Sequence, residues 1–220
     1  MDFVLNDVEA RVLGCLIEKE KTTPDYYPLT LNSLCSACNQ KSNRHPVVTY
    51  EETTVVRGLD GLRDKHLAEK VHLIDSRIPK YRHLLQQRLE LSGAETAVLC
   101  ELLLRGPQTT GELRGRADRM HSFSGLDEVE NIMNRLAERE DPLIIKLPRQ
   151  VGQKERRYMH LLSGGQLGAE LPVELPEEDA TKKVRDEDAR ISGLESQVSQ
   201  MRAEIDRLKR MFDDWKKQFE

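Results

Sequence analysis

An internal repeat constrains the fold of this 220-residue chain more than any other feature. The segment "EARVLGCLIEKEKTT", which begins at Glu9, is similar to "ETAVLCELLLRGPQTT", which begins at Glu95. Two further pairs follow in the same order in both halves, "VVRGLDGLRDK" with "ENIMNRLAER" and "KYRHLL" with "RYMHLL". Two copies are too few for a solenoid. The sequence therefore predicts two copies of one small domain, in residues 1–90 and 91–162.

Each copy has the pattern of three helices. Apolar residues recur at helical spacing in six runs, and each run follows a residue type that commonly caps a helix. The predicted caps are Asn6, Thr30 and Thr49 in the first copy and Ser92, Thr109 and Ser124 in the second. Five of the six have an acidic residue three positions later, as in a capping box. We therefore predict three helices in each copy.

After the third predicted helix of each copy, the apolar period changes to two. The segments "LAEKVHLID" and "KYRHLL" flank a polar tip in the first copy, and "LIIKLPRQ" and "RRYMHLL" do so in the second. This pattern predicts a β-hairpin. Three helices closed by a hairpin form the winged-helix variant of the helix-turn-helix domain. The predicted fold class is mainly α with small β-hairpins (α+β), as two tandem winged-helix domains followed by a C-terminal coiled-coil helix.

The segment "NQKSNRHPVVTY", residues 39–50, is predicted to be the turn between the second and third helices. Pro46 disfavours helix at His45, so the second helix has to end before this point. In helix-turn-helix proteins such a turn lies near the phosphate backbone, and the third helix faces the major groove. We therefore expect Lys41, Asn43 and Arg44 to contact phosphates of double-stranded DNA.

The two predicted hairpins, or wings, are also basic. Residues 77–88 include four basic residues and no acidic one, and residues 146–157 include five basic residues and one acidic one. Phosphate contacts need clustered positive charge and not a positive total. The candidate phosphate-binding residues of the wings are Arg77, Lys80, Arg82, Lys154, Arg156 and Arg157. The alternative interpretation is a charged hairpin edge that only protects its strands from aggregation.

The distribution of charge supports a second hypothesis. Residues 1–90 carry 13 basic and 13 acidic residues and residues 91–162 carry 11 of each, so the net charge of −4 comes from the rest of the chain. Glu51 and Glu52 stand at the start of the third helix of the first copy, and the second copy is more acidic there still. Carboxylates suit a helix N-terminus but repel phosphates. The alternative hypothesis is therefore a protein-interaction scaffold that binds no nucleic acid.

Enzymatic chemistry has little support in the sequence. A phosphate-binding loop, a nucleophile elbow and a histidine pair with metal-binding spacing are absent. Cys35 and Cys38 have no second cysteine pair at zinc-binding spacing, and they share the apolar face of the second helix. We expect core packing for these cysteines, and no metal, no cofactor and no enzymatic activity. His83 and His160 occupy matched positions in the wings, which indicates structural equivalence.

The last 58 residues divide into two predicted segments. Residues 163–188 are rich in glycine, proline and acidic residues, which predicts a flexible linker. In residues 189–220 apolar residues alternate steps of three and four, which is typical of a coiled coil. The predicted core positions are Ile191, Leu194, Val198, Met201, Ile205, Leu208, Phe212 and Trp215. We expect a homodimer through this helix; a higher oligomer, another protein partner or docking on its own domains are the alternatives.

The segment "LNDVEARVLGCLIEKEKTTPDYYPLTLNSLCSACNQKSNRHPV" resembles the opening of the bacterial YceH-like family, an uncharacterised family of tandem winged-helix proteins. The resemblance extends over roughly residues 2–162, and "LTLNSL" and "CNQKSNR" are its most specific parts. It implies the tandem winged-helix fold and supplies no catalytic residues. It also implies that the turn containing "CNQKSNR" is either functional or structurally demanding.

These observations favour a cytoplasmic DNA-binding protein of the kind that regulates transcription. No run of about 18 apolar residues is present, and the N-terminus lacks the basic and apolar regions of a secretory signal. We therefore expect a cytoplasmic location and no membrane association. The turns and wings would hold DNA phosphates, and the C-terminal helix would pair two chains.

Overall fold

A computed structural model describes residues 2–72, 78–149 and 155–164 of the chain. The chain divides into two units, Met1–Gly168 and Ala169–Glu220. The second unit contains most of the predicted linker and all of the predicted coiled-coil positions, and it lies outside the described residues. The linker, the coiled coil and the homodimer therefore stay predictions.

The first copy, in the described residues, contains three long helices and a three-stranded antiparallel sheet. Its long helices are α1 (Asp7–Thr22), α2 (Leu31–Cys38) and α3 (Glu52–Asp64), and its strands are β1 (Leu29–Thr30), β2 (Ala68–Val71) and β3 (Lys80–His83). Strands β2 and β3 form the predicted hairpin, and β1 pairs with the other edge of β3. A short helix, α4 (Leu85–Arg88), then leads into the second copy.

The second copy repeats this order with a smaller sheet. Its helices are α5 (Gly93–Arg105), α6 (Thr110–Ala117) and α7 (Leu126–Ala137), and its strands are β4 (Ile144–Lys146) and β5 (Tyr158–His160). Strands β4 and β5 are antiparallel, and a single bridge between Gln108 and Tyr158 stands where β1 pairs with β3 in the first copy. The described residues therefore confirm the predicted α+β class, with helices in the majority and small antiparallel sheets.

Four of the six predicted helix caps are confirmed. The side chains of Asn6, Thr30, Ser92 and Thr109 each accept a hydrogen bond from the backbone N–H group three residues later. At three of these caps a glutamate at the third helical position completes a capping box. These bonds satisfy backbone N–H groups that have no partner within the helix.

The predicted caps at Thr49 and Ser124 are wrong. Neither α3 nor α7 has a side-chain capping bond at its N-terminus. The later start of α3 has a physical cause, because the Asn39 side chain accepts a hydrogen bond from Tyr50 N at 2.7 Å and donates one to Tyr50 O at 2.9 Å. These bonds join Tyr50 to the start of the turn, and α3 begins two residues later at Glu52. Ser124 instead donates its backbone N–H and its hydroxyl to Glu128 Oε2, each at 2.7 Å.

One hydrophobic core runs through both copies. Its most extensive contact between described helices joins α1 to α5. Gly14 makes this contact close, because a Cβ atom there would lie 2.8 Å from Leu104 Cδ2 and 3.3 Å from Leu103 Cβ. The Cys100 thiol also donates a hydrogen bond to Gly14 O at 3.3 Å. The two copies thus share one core, and none of the described helices is long and apolar enough to cross a membrane.

Candidate nucleic-acid interface

The turn between α2 and α3 is held from the inside by polar side chains. Arg11 of α1, which is 4% exposed, donates hydrogen bonds to Cys38 O at 3.3 Å and to Pro46 O at 2.5 Å. The Asn39 side chain joins the start of the turn to both backbone groups of Tyr50. Shielded backbone groups outside helices and strands need such partners. The turn is therefore a defined structural element.

Arg44 does not take the predicted position on the surface. It is 3% exposed, and its Nη1 and Nη2 atoms donate to the Glu18 carboxylate at 3.0 and 2.5 Å. Its Nε and Nη2 atoms also donate to Ala37 O, at 3.2 and 3.0 Å. Because every guanidinium nitrogen already has a protein acceptor, Arg44 is a structural residue of the turn, and a phosphate does not reach it in this conformation.

The Arg44–Glu18 pair is an ion pair in the interior. Burial would raise the pKa of Glu18, but hydrogen bonds from Arg44 and its positive charge outweigh that effect and hold the pKa below its usual value. Burial would likewise lower the pKa of Arg44, and the hydrogen bonds to Glu18 raise it instead. Both groups therefore carry charge in the folded protein. A buried charge is tolerated when it is paired in this way.

The outer side of the turn presents Lys41 to solvent. Lys41, Ser42 and Asn43 are all exposed. Asn43 has a φ of 58°, in the left-handed region that asparagine adopts more readily than most residues. Its Oδ1 atom accepts a hydrogen bond from Arg105. Of the three phosphate-binding residues predicted in the turn, the structure therefore exposes Lys41 and Asn43 and buries Arg44.

In the first hairpin, the structure describes two of the three predicted phosphate-binding residues, and Arg77 lies outside the described residues. Lys80 is half-buried at the start of β3. Arg82 is exposed and forms an ion pair with Glu69, which lies directly opposite it on β2. Such cross-strand pairs stabilise a hairpin. The positive charge of Arg82 is therefore offset by the carboxylate of Glu69.

In the second hairpin, Lys154 lies outside the described residues, and Arg156 is exposed. Arg157 is half-buried and donates hydrogen bonds to Pro107 O at 2.8 Å and to Glu112 Oε2 at 2.9 Å. Glu112 is the capping-box residue of α6. Arg157 therefore connects the hairpin to the start of α6 as well as carrying charge.

The outer face of α3 carries both signs of charge. Glu51 and Glu52 are exposed at its start, and Arg57 is exposed one turn later. Arg63 pairs with Asp60 at 2.9 Å. Arg57 has no ion pair with any residue that the structure describes. The sequence places Arg57 on the third helix without showing where it points, and the structure shows that it faces solvent.

Sequence reasoning missed two residues that shape the turn, Arg11 and Glu18 of α1. All ten residues from Glu9 to Glu18 are buried, because α1 packs against α2, α3 and α5. An amphipathic helix normally leaves its charged positions in water. A helix that is covered on several sides instead buries them, and a single sequence carries no signal that separates the two situations.

The structure confirms core packing for the cysteine pair. Cys38 is fully buried, and Cys35 is half-buried and packs against the core. His83 and His160 also take equivalent positions, since they pair with Ala68 and Ile144, the first residues of β2 and β4. The structural equivalence that the sequence predicts for the two histidines is confirmed.

Comparison with known proteins gives a family and no activity. Residues 5–153 match the family described as "Protein of unknown function, DUF480". The chain belongs to this family. A UPF0502 protein of Geobacter sulfurreducens is 56% identical over 222 residues, which cover 100% of both chains, and one of Pelobacter propionicus is 54% identical over 221 residues with the same coverage. A UPF0502 protein of Opitutus terrae is 57% identical over 162 residues, or 73% of this chain and 70% of its own. The DUF480 description assigns no reaction, ligand or partner to its members.

Proposed function

We propose that this protein binds double-stranded DNA as a tandem winged-helix protein. Each copy has three helices followed by an antiparallel hairpin, and this order of elements supports a winged-helix domain. In that arrangement the third helix approaches the major groove, and the turn and wing lie against the phosphate backbone. The helix α3 has an exposed outer face, which supports this mode of binding.

The observation that carries the proposal is the placement of three basic side chains in the first copy. Lys41 lies on the turn, Arg57 on α3 and Lys80 on the hairpin, so each element that a winged helix uses for DNA supplies one. None of the three forms an ion pair with another residue of the described chain. Arg156 supplies a further exposed charge on the second hairpin. We define Lys41, Arg57, Lys80 and Arg156 as the basic footprint.

The size of the basic footprint sets the expected salt dependence. The logarithm of the binding constant falls with the logarithm of salt concentration with a slope of about −0.9 for each phosphate neutralised. Four contacts therefore give a slope between about −3 and −4. Arg44, Arg82 and Arg157 are left out of this count because each already has a carboxylate partner.

The test is a titration of the full-length protein against labelled duplex DNA of random sequence at several salt concentrations. We expect micromolar binding with the slope given above. The double substitution Lys41→Ala and Lys80→Ala is expected to reduce the slope by about two and to weaken binding to all sequences alike. Arg114→Ala, which removes an exposed arginine from α6, is the matched control and is expected to leave the slope unchanged.

A second substitution tests whether α3 faces the DNA. Glu52 is exposed at the start of α3, where its negative charge would repel a DNA phosphate. If α3 enters the groove, Glu52→Gln strengthens DNA binding at low salt, because it removes a repulsive charge. An unchanged affinity with this variant would restrict the interface to the turn and the hairpins.

The alternative function is a protein-interaction scaffold. The observation that favours it is the acidic start of both third helices, with Glu51 and Glu52 at α3 and Asp127 and Glu128 at α7. A basic protein surface suits such helix ends better than DNA does. Absence of DNA binding at low salt would rule out the DNA-binding proposal and favour the scaffold.

We further propose that residues 189–220 pair two chains in the cytoplasm, as the heptad pattern predicts. Two linked footprints would raise the affinity for paired DNA sites, as is common for regulators of transcription. Light scattering of the full-length chain and of a chain ending at residue 168 tests the pairing. We expect a dimer mass for the first and a monomer mass for the second; a monomer in both cases would contradict it.

A further inference from the structure

Arginines from both copies meet at one carboxylate, that of Glu18 on α1. Arg44 reaches it from the turn of the first copy. Arg119 reaches it from the connection between α6 and α7, with its Nη2 atom 2.7 Å from Glu18 Oε1. The equivalent connections of the two copies therefore end on the same side chain.

A second route leads from Arg119 back to the turn. The Nη2 atom of Arg119 also donates to Glu101 Oε1 on α5, at 2.9 Å. The other oxygen of Glu101 lies 3.1 Å from Arg105 Nε, and Arg105 in turn donates a hydrogen bond to the side chain of Asn43. Because Asn43 adjoins Arg44 in the chain, these ion pairs and the Arg105–Asn43 hydrogen bond form a closed series that ties the turn to the second copy. We call the five charged residues the inter-copy cluster: Glu18, Arg44, Glu101, Arg105 and Arg119.

The two carboxylates of the inter-copy cluster are buried beside arginines. Glu18 is 1% exposed and Glu101 is 0% exposed. Burial would lower the pKa of Arg119, but hydrogen bonds and charge attraction from Glu101 and Glu18 raise it instead. Buried charges in such a set depend on one another, because losing one leaves another without a partner.

The backbone of the turn also contacts the second copy. His45 N donates a hydrogen bond to Leu104 O at 2.9 Å, near the C-terminus of α5. Carbonyl groups in the last turn of a helix have no partner within the helix. The turn therefore caps α5, and the second copy contacts it on both sides of Arg44, at Asn43 and at His45.

We propose that Arg119 is a positioning residue through which the second copy holds the turn of the first copy in its binding conformation. Its role is to complete the set of charges that keeps Arg44 inside and Lys41 outside. DNA binding by the first copy then depends on a second-copy residue that does not touch DNA. This inference rests on the proposed function for its effect on binding, and on the described contacts alone for its effect on the turn.

The experiment compares Arg119→Gln with Arg114→Gln in the full-length protein. The side chain of Arg119 is 32% exposed and Arg114 is exposed on the neighbouring helix α6, so both variants are expected to fold. Amide hydrogen exchange is measured for residues 39–48, and DNA affinity is measured across a range of salt concentrations. Arg119→Gln is expected to speed exchange in the turn by about tenfold, whereas Arg114→Gln leaves it unchanged.

The salt slope separates a positioning role from direct contact. Arg119→Gln is expected to weaken DNA binding several-fold with an unchanged slope, because no phosphate contact is lost. Lys41→Ala, in contrast, lowers the slope by about one. Arg119→Lys keeps the charge but replaces the planar guanidinium by a single ammonium, so we expect an intermediate effect on exchange and affinity.

Two results would overturn the inference. Unchanged exchange in residues 39–48 of the Arg119→Gln protein would show that the second copy does not hold the turn. A slope lowered by about one in that variant would place Arg119 itself on the DNA. If the unaltered protein binds no DNA, the proposed function fails, and the exchange experiment still decides whether Arg119 positions the turn.

Discussion

The connections between the second and third helices differ in the two copies, although the order of elements is the same. In the first copy the connection runs over residues 39–51, and in the second it runs over residues 118–125. Each sends an arginine to Glu18, yet the Arg44 side chain is 0% exposed, whereas the Arg119 side chain is 32% exposed. A repeated architecture therefore does not imply repeated burial. The elements that surround each arginine decide how much of it water reaches.

The two hairpins show a similar difference. In the first, Arg82 pairs with Glu69 within the hairpin itself, and both side chains are exposed. In the second, Arg157 reaches out of the hairpin to Glu112 at the start of α6. An arginine of the hairpin therefore stabilises the pairing of β2 with β3 in the first copy, whereas in the second copy it joins the hairpin to α6.

The largest expected effect concerns the two arginines on Glu18. Arg44→Met removes a fully buried partner of a buried carboxylate, and we expect it to lower the free energy of unfolding by about 3–5 kcal/mol. Arg119→Met removes a partner of Glu18 whose place water can partly take. We expect it to lower the free energy of unfolding by about 1–2 kcal/mol. Urea denaturation at neutral pH measures both. Equal losses would show that the difference in burial has no energetic consequence.

A smaller effect is expected at the contact between the copies. Gly14→Val places methyl groups where Leu104 and Leu103 lie, and we expect it to lower the free energy of unfolding by about 1–3 kcal/mol. Gly115 of α6 is the matched control, because a Cβ atom there meets nothing within 4 Å. We expect Gly115→Ala to raise the free energy of unfolding by about 0.5–1 kcal/mol through its helix propensity. Thermal or urea unfolding of the two variants is the measurement, and a stabilised Gly14→Val protein would contradict the close α1–α5 packing.

The smallest effect concerns the matched histidines and depends on pH. His83 Nε2 lies 3.2 Å from Glu20 Oε2, whereas no carboxylate of the described chain lies within ion-pair distance of His160. Burial lowers the pKa of His160 to about 4, against a weaker opposing effect of Asp7. Between about pH 6.5 and pH 4 the unfolded chain therefore binds more protons there than the folded chain, and acid destabilises the fold.

Through His160, we expect the free energy of unfolding to fall by about 1–2 kcal/mol between pH 7.5 and pH 5. The glutamine variant His160→Gln cannot take up this proton, so its free energy of unfolding should fall less over the same interval. The pair Glu20–His83 behaves differently, because the neighbouring His83 ring lowers the pKa of Glu20 to about 2. The contribution of Glu20 is present above its ordinary value near 4.5 and is lost only below it. Identical pH dependence in the unaltered and His160→Gln proteins would contradict the assignment.

Local signals in the sequence were reliable where the interaction itself is local. The caps at Asn6, Ser92 and Thr109 involve residues three positions apart, and all three are present in the structure. The cap predicted at Thr49 is wrong because two hydrogen bonds across the turn join the Asn39 side chain to the backbone of Tyr50, and the helix begins only after them. Contacts of this length leave no periodic trace in the sequence.

The candidate interface was predictable in its location and less so in its chemistry. The turn lies between the second and third helices as predicted, and Lys41 is exposed on it. The carboxylate partner of Arg44 is Glu18, which lies 26 residues away on α1, and Arg119 approaches that carboxylate from the second copy. Whether a basic side chain meets solvent or a buried carboxylate depends on these distant partners.

The amino-acid sequence by itself determined the repeat, the order of helices and hairpins in each copy, and most helix starts, because these follow from apolar periodicity and short-range hydrogen bonds. Only the tertiary structure decided that the two copies share one core, that Arg44 and Glu18 form an ion pair inside it, and that Lys41 and Arg57 face solvent. The physical reason is that burial of a charged group depends on the elements packed around it, and here α1 is covered by helices from both copies.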